Sequence, residues 1–518
     1  MKNEGLLYGA IILLISNFLV KCLGFFYRVF LVRALGTEGI GLIEMVLPFY
    51  TFIIVITTWG IPLAMSKILA EETARGNWGN VRRIFRLTLF LLTVSGLVST
   101  SLVIYFAPLI IEHFVPDSRI YFCFVTMIPA IFIITVCSVF RSYFQGTKQV
   151  SAIGFGQTIE QTIRVIVGIT LAVKLRKYGL EIAVVAVSVA SVAGELAGFL
   201  FMIGKYRKNK RQIPAGLSSH RSGIWSLIRS LLTFGTPVTL TRLLASILMT
   251  LQATLIPRGL MLAGNSLRAA TEIYGRFSGV ALTLLHLPGI ITMSMAVSIM
   301  PAVAELSGSG NRKLLNHRIS ESLWITSIFS IPSMVVLYFY SGELCRLIFH
   351  APQAGEPLRI LALGGVFCYL QQTLTSILQG MGRVKMLLFN NFCSGICLIG
   401  SIMLLTPVKG IEINGAAIAL SLSYLIGCTL NLFYLIRYSR LDLPFSNILL
   451  KPFLAGLVSF FTLKILDQLL RPVTSNLPIT MLISISISCV IYFIFLLAVH
   501  GLPLHTIKRL PFLKRWFH

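Results

Sequence analysis

The chain predicts an all-α integral membrane protein of about 14 transmembrane helices, organised as two parallel-repeat six-helix lobes plus two extra C-terminal helices. Three observations predict it. Of 518 residues, 56% are hydrophobic and only 12% charged, with a mean hydropathy of +0.85, which is too little polar surface to cover a water-soluble globule. The apolar residues gather into runs of about 20, the length a helix needs to cross a hydrocarbon core about 30 Å thick. Short motifs of the first half recur in the second in the same order and at nearly one offset, 234 or 231 positions.

The runs fall at 6–32, 40–66, 87–111, 120–140, 150–173, 181–204, 230–256, 277–303, 322–342, 358–380, 386–408, 411–436, 447–468 and 474–499. The first follows Met1-Lys2-Asn3 in the manner of a secretion signal. It is too long for one, contains Lys21 and is followed by no small-residue cleavage site, so it reads as a membrane helix. Lys21 and Arg28 are seven residues apart, about 700° of helical rotation, and project from nearly one face about 10.5 Å apart along the axis. That face cannot be turned to lipid, although Arg28, nearer the helix end, has the alternative of snorkelling outward. Glu44 in the second run either neutralises Arg28 permanently or releases it when a competing anion arrives.

In the fifth run Gln157, Glu160, Gln161 and Arg164 stand at i, i+3, i+4 and i+7, a polar stripe on one face, within which Glu160 and Arg164 can cancel. Glu195 in the sixth and His286 in the eighth read as lone polar packing positions. Arg242 sits in the seventh run, too deep to reach either surface, and Arg276 lies at the mouth of the eighth. Gly60-Ile61-Pro62 and Gly235-Thr236-Pro237 put a flexible residue beside a missing amide. Gly60, Pro62, Gly235 and Pro237 are therefore hinge candidates, with static kinks as the alternative.

The loops richest in Lys and Arg, at 67–86 and from 205, together with the tail at 508–515, fall on one side, which puts both termini in the cytoplasm of a multi-pass cell-membrane protein. The net charge of +26 then reflects topology and attraction to anionic membrane lipid, not nucleic-acid binding, because no extramembrane stretch is long enough to fold alone. Eight of the nine cysteines lie in apolar runs as packing groups. Cys393 and Cys397 share a helix face with no His or carboxylate nearby, so no metal site is expected.

Ala70-Glu71 and Gly76-Asn77 recur as Ala304-Glu305 and Gly310-Asn311. Ser142, Gln145, Gly146 and Val150 recur as Ser376, Gln379, Gly380 and Val384, again 234 positions on, and GLEI from Gly179 recurs as GIEI from Gly410. Six helices per copy is an even number, so both copies run the same way through the membrane. The organisation expected is an N-lobe at 1–204, a basic cytoplasmic linker at 205–229, a C-lobe at 230–436, the two extra helices within 437–499 and a basic tail at 500–518.

Two parallel six-helix lobes, the early Arg33-x-Leu35-Gly36, the Gly60-Ile61-Pro62 before A-E-x-x-x-x-G-N, and the S-x-x-Q-G loops resemble the polysaccharide-transporter branch of the multidrug/oligosaccharidyl-lipid/polysaccharide exporter superfamily. The resemblance covers essentially the whole chain. It implies a flippase that moves an anionic lipid-linked glycan, an undecaprenyl-diphosphate peptidoglycan precursor for the spore cortex, across the membrane by alternating access. It also implies that the two extra helices border a groove for the polyprenyl tail. Lys21, Arg28 and Arg242, on the first helix of each lobe, would suit a diphosphate, since guanidinium forks match phosphate oxygens and ammonium adds point charge. Glu44, Gln157, Glu160, Arg164 and Arg276 complete the candidate substrate-binding set. A cation exporter needs a carboxylate in the same place, and runs one and seven hold no acidic residue.

An enzyme is not expected. The three aspartates, Asp117, Asp442 and Asp467, are far apart, and there is no paired-acid motif, H-E-x-x-H or P-loop, hence no cofactor. The alternatives are a cation-coupled multidrug antiporter of the same superfamily and a non-transporting scaffold with cell-wall synthesis proteins as partners.

Overall fold

A computed structural model describes residues 6–210, 223–309, 311–439, 443–472 and 476–501. The basic linker expected at 205–229 lies in part, and the tail at 500–518 almost wholly, outside these residues. Among the described residues the regular elements are helices throughout.

Twelve of the described helices are long and apolar enough to cross a membrane. That count differs from the fourteen runs for two physical reasons. The first two runs form one 53-residue helix, α1 (Leu6–Thr58), about 80 Å if straight and far longer than one crossing requires. Gly36, at φ 74° and ψ 174°, breaks it into arms 6–35 and 37–58 without interrupting the chain of helical residues, a left-handed backbone that glycine adopts without strain. The fifth run, 26 residues at Val150–Leu175, is long enough, but its polar stripe keeps it outside the twelve.

The chain packs as two compact units, Met1–Gly279 and Val280–His518. The first holds α1, α2 (Ile61–Ala74), α3 (Trp78–Phe114), α4 (Tyr121–Gly146), α5 (Val150–Leu175), α6 (Leu180–Lys210), α7 (Ile224–Leu262) and α8 (Leu267–Gly275). A π-helical turn, Arg276–Ala281, follows α8. The second holds α9 (Leu282–His286), α10 (Gly289–Ser309), α11 (Arg312–Phe339), α12 (Ser341–Phe349), α13 (Gly355–Gly380), α14 (Val384–Leu405), α15 (Ile413–Ser439), α16 (Lys451–Leu470) and α17 (Leu477–Ala498). Thus α7, which opens the second repeat in the sequence, packs with the first unit. One reason is steric: Gly60 and Gly235 let the backbones of the α1–α2 break and α7 touch, and a Cβ on Gly235 would lie 2.8 Å from the Trp59 carbonyl oxygen.

The repeat motifs do the same structural work in both units. Asn77 caps α3 by accepting from the Asn80 amide at 3.4 Å, and Asn311 caps α11 by accepting from the Leu314 amide at 3.1 Å. Gly146 ends α4 against α2, where a Cβ would lie 2.8 Å from the Ser66 carbonyl oxygen. Gly380 ends α13 against α10, where a Cβ would lie 2.5 Å from the Met300 carbonyl oxygen. The core of the first unit joins aliphatic side chains such as Met65, Leu69 and Ile84 to an aromatic cluster, in which Phe85 stacks on Tyr206 at 4.4 Å beside Phe140 and Tyr143. The core of the second centres on Ile319, Trp324, Leu374, Leu378 and Leu435. Leu97, Val98, Ile104 and Tyr105 of α3 are exposed, as a surface that meets hydrocarbon requires.

Candidate functional site

The first arm of α1 carries the two cations that opened the question of lipid. Between them Gly24 lies against α5, 3.5 Å from Gln161 Nε2 at its Cβ position. Arg28 donates through Nη1 to Glu44 Oε1 in the second arm, and Ser278 of the π-helical turn donates to Glu44 Oε2 at 2.6 Å. The Arg28 side chain remains 27% exposed and that of Glu44 12%, so the pair is neither sealed nor free. Lys21 is exposed and has no acidic partner among the described residues. Arg242, midway along the 39-residue α7, is likewise exposed with no acidic partner among them.

A second cluster joins α4, α5 and α6. Arg164 Nη2 donates to Glu160 Oε1 at 2.8 Å and to Glu195 Oε1 at 2.7 Å, and its Nη1 donates to Gln161 Oε1 at 3.2 Å. Arg141 Nη2 donates to Glu160 Oε2 at 2.6 Å and stands 3.7 Å from Glu195 Oε2. Two guanidiniums and two carboxylates therefore close one network, largely buried, and each charge faces two of the opposite sign. Gln157, the first residue of the stripe, keeps its Oε1 buried without a hydrogen-bond partner among the described residues.

A third set sits around the kink of α1. Arg276 donates to Glu272, which also accepts from Thr37 at 3.2 Å, so this candidate phosphate ligand is already engaged. Beside it Arg119 bridges Glu38 at 2.5 Å and the fully buried Asp117 at 2.6 Å, and Thr271 donates to Asp117 at 2.9 Å. Both glycine–proline motifs meet at the Gly60–Gly235 contact. Trp59 Nε1 donates to Thr236 Oγ1 there at 3.3 Å, and Pro62 stands in the first turn of α2 while Pro237 lies inside α7.

The polysaccharide biosynthesis protein family matches residues 6–307, more than half of the chain. The chain belongs to that family. The MatE family matches residues 278–403. Stage V sporulation protein B of Bacillus subtilis (strain 168) is 29% identical over 422 residues, covering 81% of each chain. The fold is that of lipid II flippase MurJ in its inward closed conformation, with a TM-score of 0.68 at 18% identity over 94% of this chain and 98% of that one. An inward-facing multidrug resistance MATE transporter of the MOP superfamily superposes with a TM-score of 0.67 at 14% identity, over 81% and 95%. This member of the polysaccharide biosynthesis protein family is thus a multi-pass membrane protein in the polysaccharide transporter branch of the MOP superfamily.

Of the sequence-derived set in this family member, Arg28 and Glu44 come together, as do Glu160 and Arg164, while Lys21 and Arg242 stay unpaired among the described residues. Three participants escape a linear reading. Glu195 is not the lone polar group expected, because Arg164 and Arg141 both reach it across helices. Arg141 looks like a loop residue after a run ending at 140, but α4 continues to Gly146 and carries it inward. Ser278 has no signal beyond its place beside Arg276.

Proposed function

We propose that the protein is a flippase that moves an anionic, lipid-linked glycan from the inner to the outer leaflet by alternating access, with both termini cytoplasmic. The observation that carries this reading is the pair of mid-helix cations, Lys21 and Arg242, each exposed and without a carboxylate partner among the described residues. A charge at the bilayer centre costs from about 2.5 to more than 10 kcal/mol, so such groups need water or an anion. A diphosphate supplies the anion. Arg28 is the third contact: substrate phosphate competes with Glu44 for it, and Ser278 holds Glu44 in place meanwhile. Glu160, Arg164 and Gln157 line the path of the glycan, with Arg276 towards its exit. Gly60, Pro62, Gly235 and Pro237 are the hinges.

The sporulation relative and the lipid II flippase neighbour support an undecaprenyl-diphosphate peptidoglycan precursor as cargo, and a spore-cortex role. They equally support transport over catalysis. The antiporter alternative is disfavoured by α7, which contains three arginines and no acidic residue. The experiment is headgroup flipping in proteoliposomes with Lys21→Gln, Arg28→Gln and Arg242→Gln tested singly. Each should lower the rate at least about tenfold, the loss of one charge-assisted phosphate contact, while reaching the membrane at normal levels. Unchanged flipping in all three would sink the reading.

A further inference from the structure

Beyond Gly36 the second arm of α1 lies on α8 and the turn after it closely enough for backbones to touch. A Cβ on Gly275 would stand 2.7 Å from the Gly41 amide nitrogen, and one on Gly41 would run into the Thr271 carbonyl. Ile40, fully buried, packs against Gly279 in the same seam. With both termini cytoplasmic as proposed, the first arm of α1 ends outside, so the seam lies towards the outer face of the membrane.

A third segment, the connection at 115–120 between α3 and α4, spans this seam. Arg119 donates to Asp117 through Nε at 3.0 Å and through Nη2 at 2.6 Å, and the pair then reaches in two directions. Asp117 accepts from Thr271 of α8 at 2.9 Å, while Arg119 Nη1 donates to Glu38 of α1 at 2.5 Å. One rigid pair therefore grips both banks. On the rim Arg268 of α8 stands 3.6 Å from Glu38, and Glu272 accepts from Thr37 at 3.2 Å and from Arg276. Three guanidiniums meet three carboxylates, which leaves these residues no net charge with which to hold an ion.

Surroundings decide whether such a tie can release. The network of Arg141, Glu160, Arg164 and Glu195 is largely buried among three long helices, where parting its charges would strand them away from water. At the seam Arg268 is 77% exposed and Arg119 and Glu38 are 18% and 27% exposed, so water replaces each partner as the banks separate. Asp117, fully buried while the seam is shut, is the member that gains solvent when it opens.

We propose that the connection at 115–120 is a strap that holds this seam shut and lets go when the protein opens to the outside. Its direction of action rests on the alternating-access reading; its residues rest on the seam alone.

The test labels Ile40→Cys in cells with a membrane-impermeant maleimide added outside and reads the label on that peptide by mass spectrometry. Labelling should be slow while the strap is whole. Thr271→Val and Glu38→Gln, each removing a hydrogen bond to a charged group, should speed it about tenfold. Melting in detergent reports whether each variant is folded, and equal labelling in folded variants overturns the proposal. A second arm joins the banks directly: Glu38→Cys with Arg268→Cys, bridged by a bis-methanethiosulfonate, should halt headgroup flipping in proteoliposomes, and dithiothreitol should restore it. Flipping that continues through the bridge also overturns the strap. A wild type that moves no headgroup removes the transport reading, while the labelling, which needs no cargo, still decides the strap.

Discussion

At a shift of 234 positions Arg141 of α4 corresponds to Thr375 of α13, Glu160 of α5 to Ser394 of α14, and Arg164 to Leu398. The first region closes a network of four charges. The second is tied by neutral contacts: Thr326 with Thr373 at 2.9 Å, Asn390 Nδ2 donating to Asn431 at 2.9 Å, and Ser423 donating to the Ser394 carbonyl at 3.0 Å. Yet the helix ends are handled alike in both, by Asn77 and Asn311 and by Gly146 and Gly380. The repeat therefore dictates where helices begin, end and touch, and leaves the chemistry between those points free. Charge buried in one copy and absent from the other is specialisation, not a requirement of the architecture.

The sharpest way to break this comparison is to unbalance the charged copy. Glu195→Ala leaves two guanidiniums facing one carboxylate and should cost roughly 3 kcal/mol of unfolding free energy in detergent, whereas Ser394→Ala in the neutral copy should cost under about 1 kcal/mol. Arg141→Thr with Glu160→Ser, which imports the residues of the second copy, keeps the remaining Arg164–Glu195 pair neutral. The double variant should lose less than the sum of its two singles by about 1 kcal/mol or more; strict additivity would mean the four charges do not act together.

A smaller effect tests the shared plan. Gly146→Leu and Gly380→Leu each force a side chain against a carbonyl of the neighbouring helix and should each cost about 1–3 kcal/mol by thermal unfolding. A large cost at one and none at the other would mean that the two ends are not built alike. Smallest are the caps, where Asn77→Ala and Asn311→Ala should each cost about 1 kcal/mol. Asn77 should be the larger, since its Nδ2 also donates to Glu72 at 2.8 Å.

Much of the fold was legible because hydrophobic length and motif spacing are local quantities. The runs and the stripe from Gln157 to Arg164 follow from distances along one helix, and the repeat from matching positions along the chain. What was not legible depends on crossings between helices. Glu195 looks isolated on α6 because its partners lie 31 and 54 positions earlier, on α5 and α4. The segment around Gly36 reads as a loop between two runs, since nothing local tells a glycine that ends a helix from one that bends it through a single residue. Arg28 and Glu44 were readable as a pair across that bend, but the Ser278 hydroxyl on the other Glu44 oxygen was not, because it arrives from a turn 234 residues away.

The four-charge network has a consequence for how the protein feels voltage. Two guanidiniums and two carboxylates sum to zero, so displacing the block through the membrane field does almost no electrical work, while each unmatched charge carried across 100 mV changes the energy by about 2.3 kcal/mol. In the flippase proposed above, the field would therefore grip Lys21 and Arg242, one on each of two helices, and leave the four-charge network as electrically silent ballast.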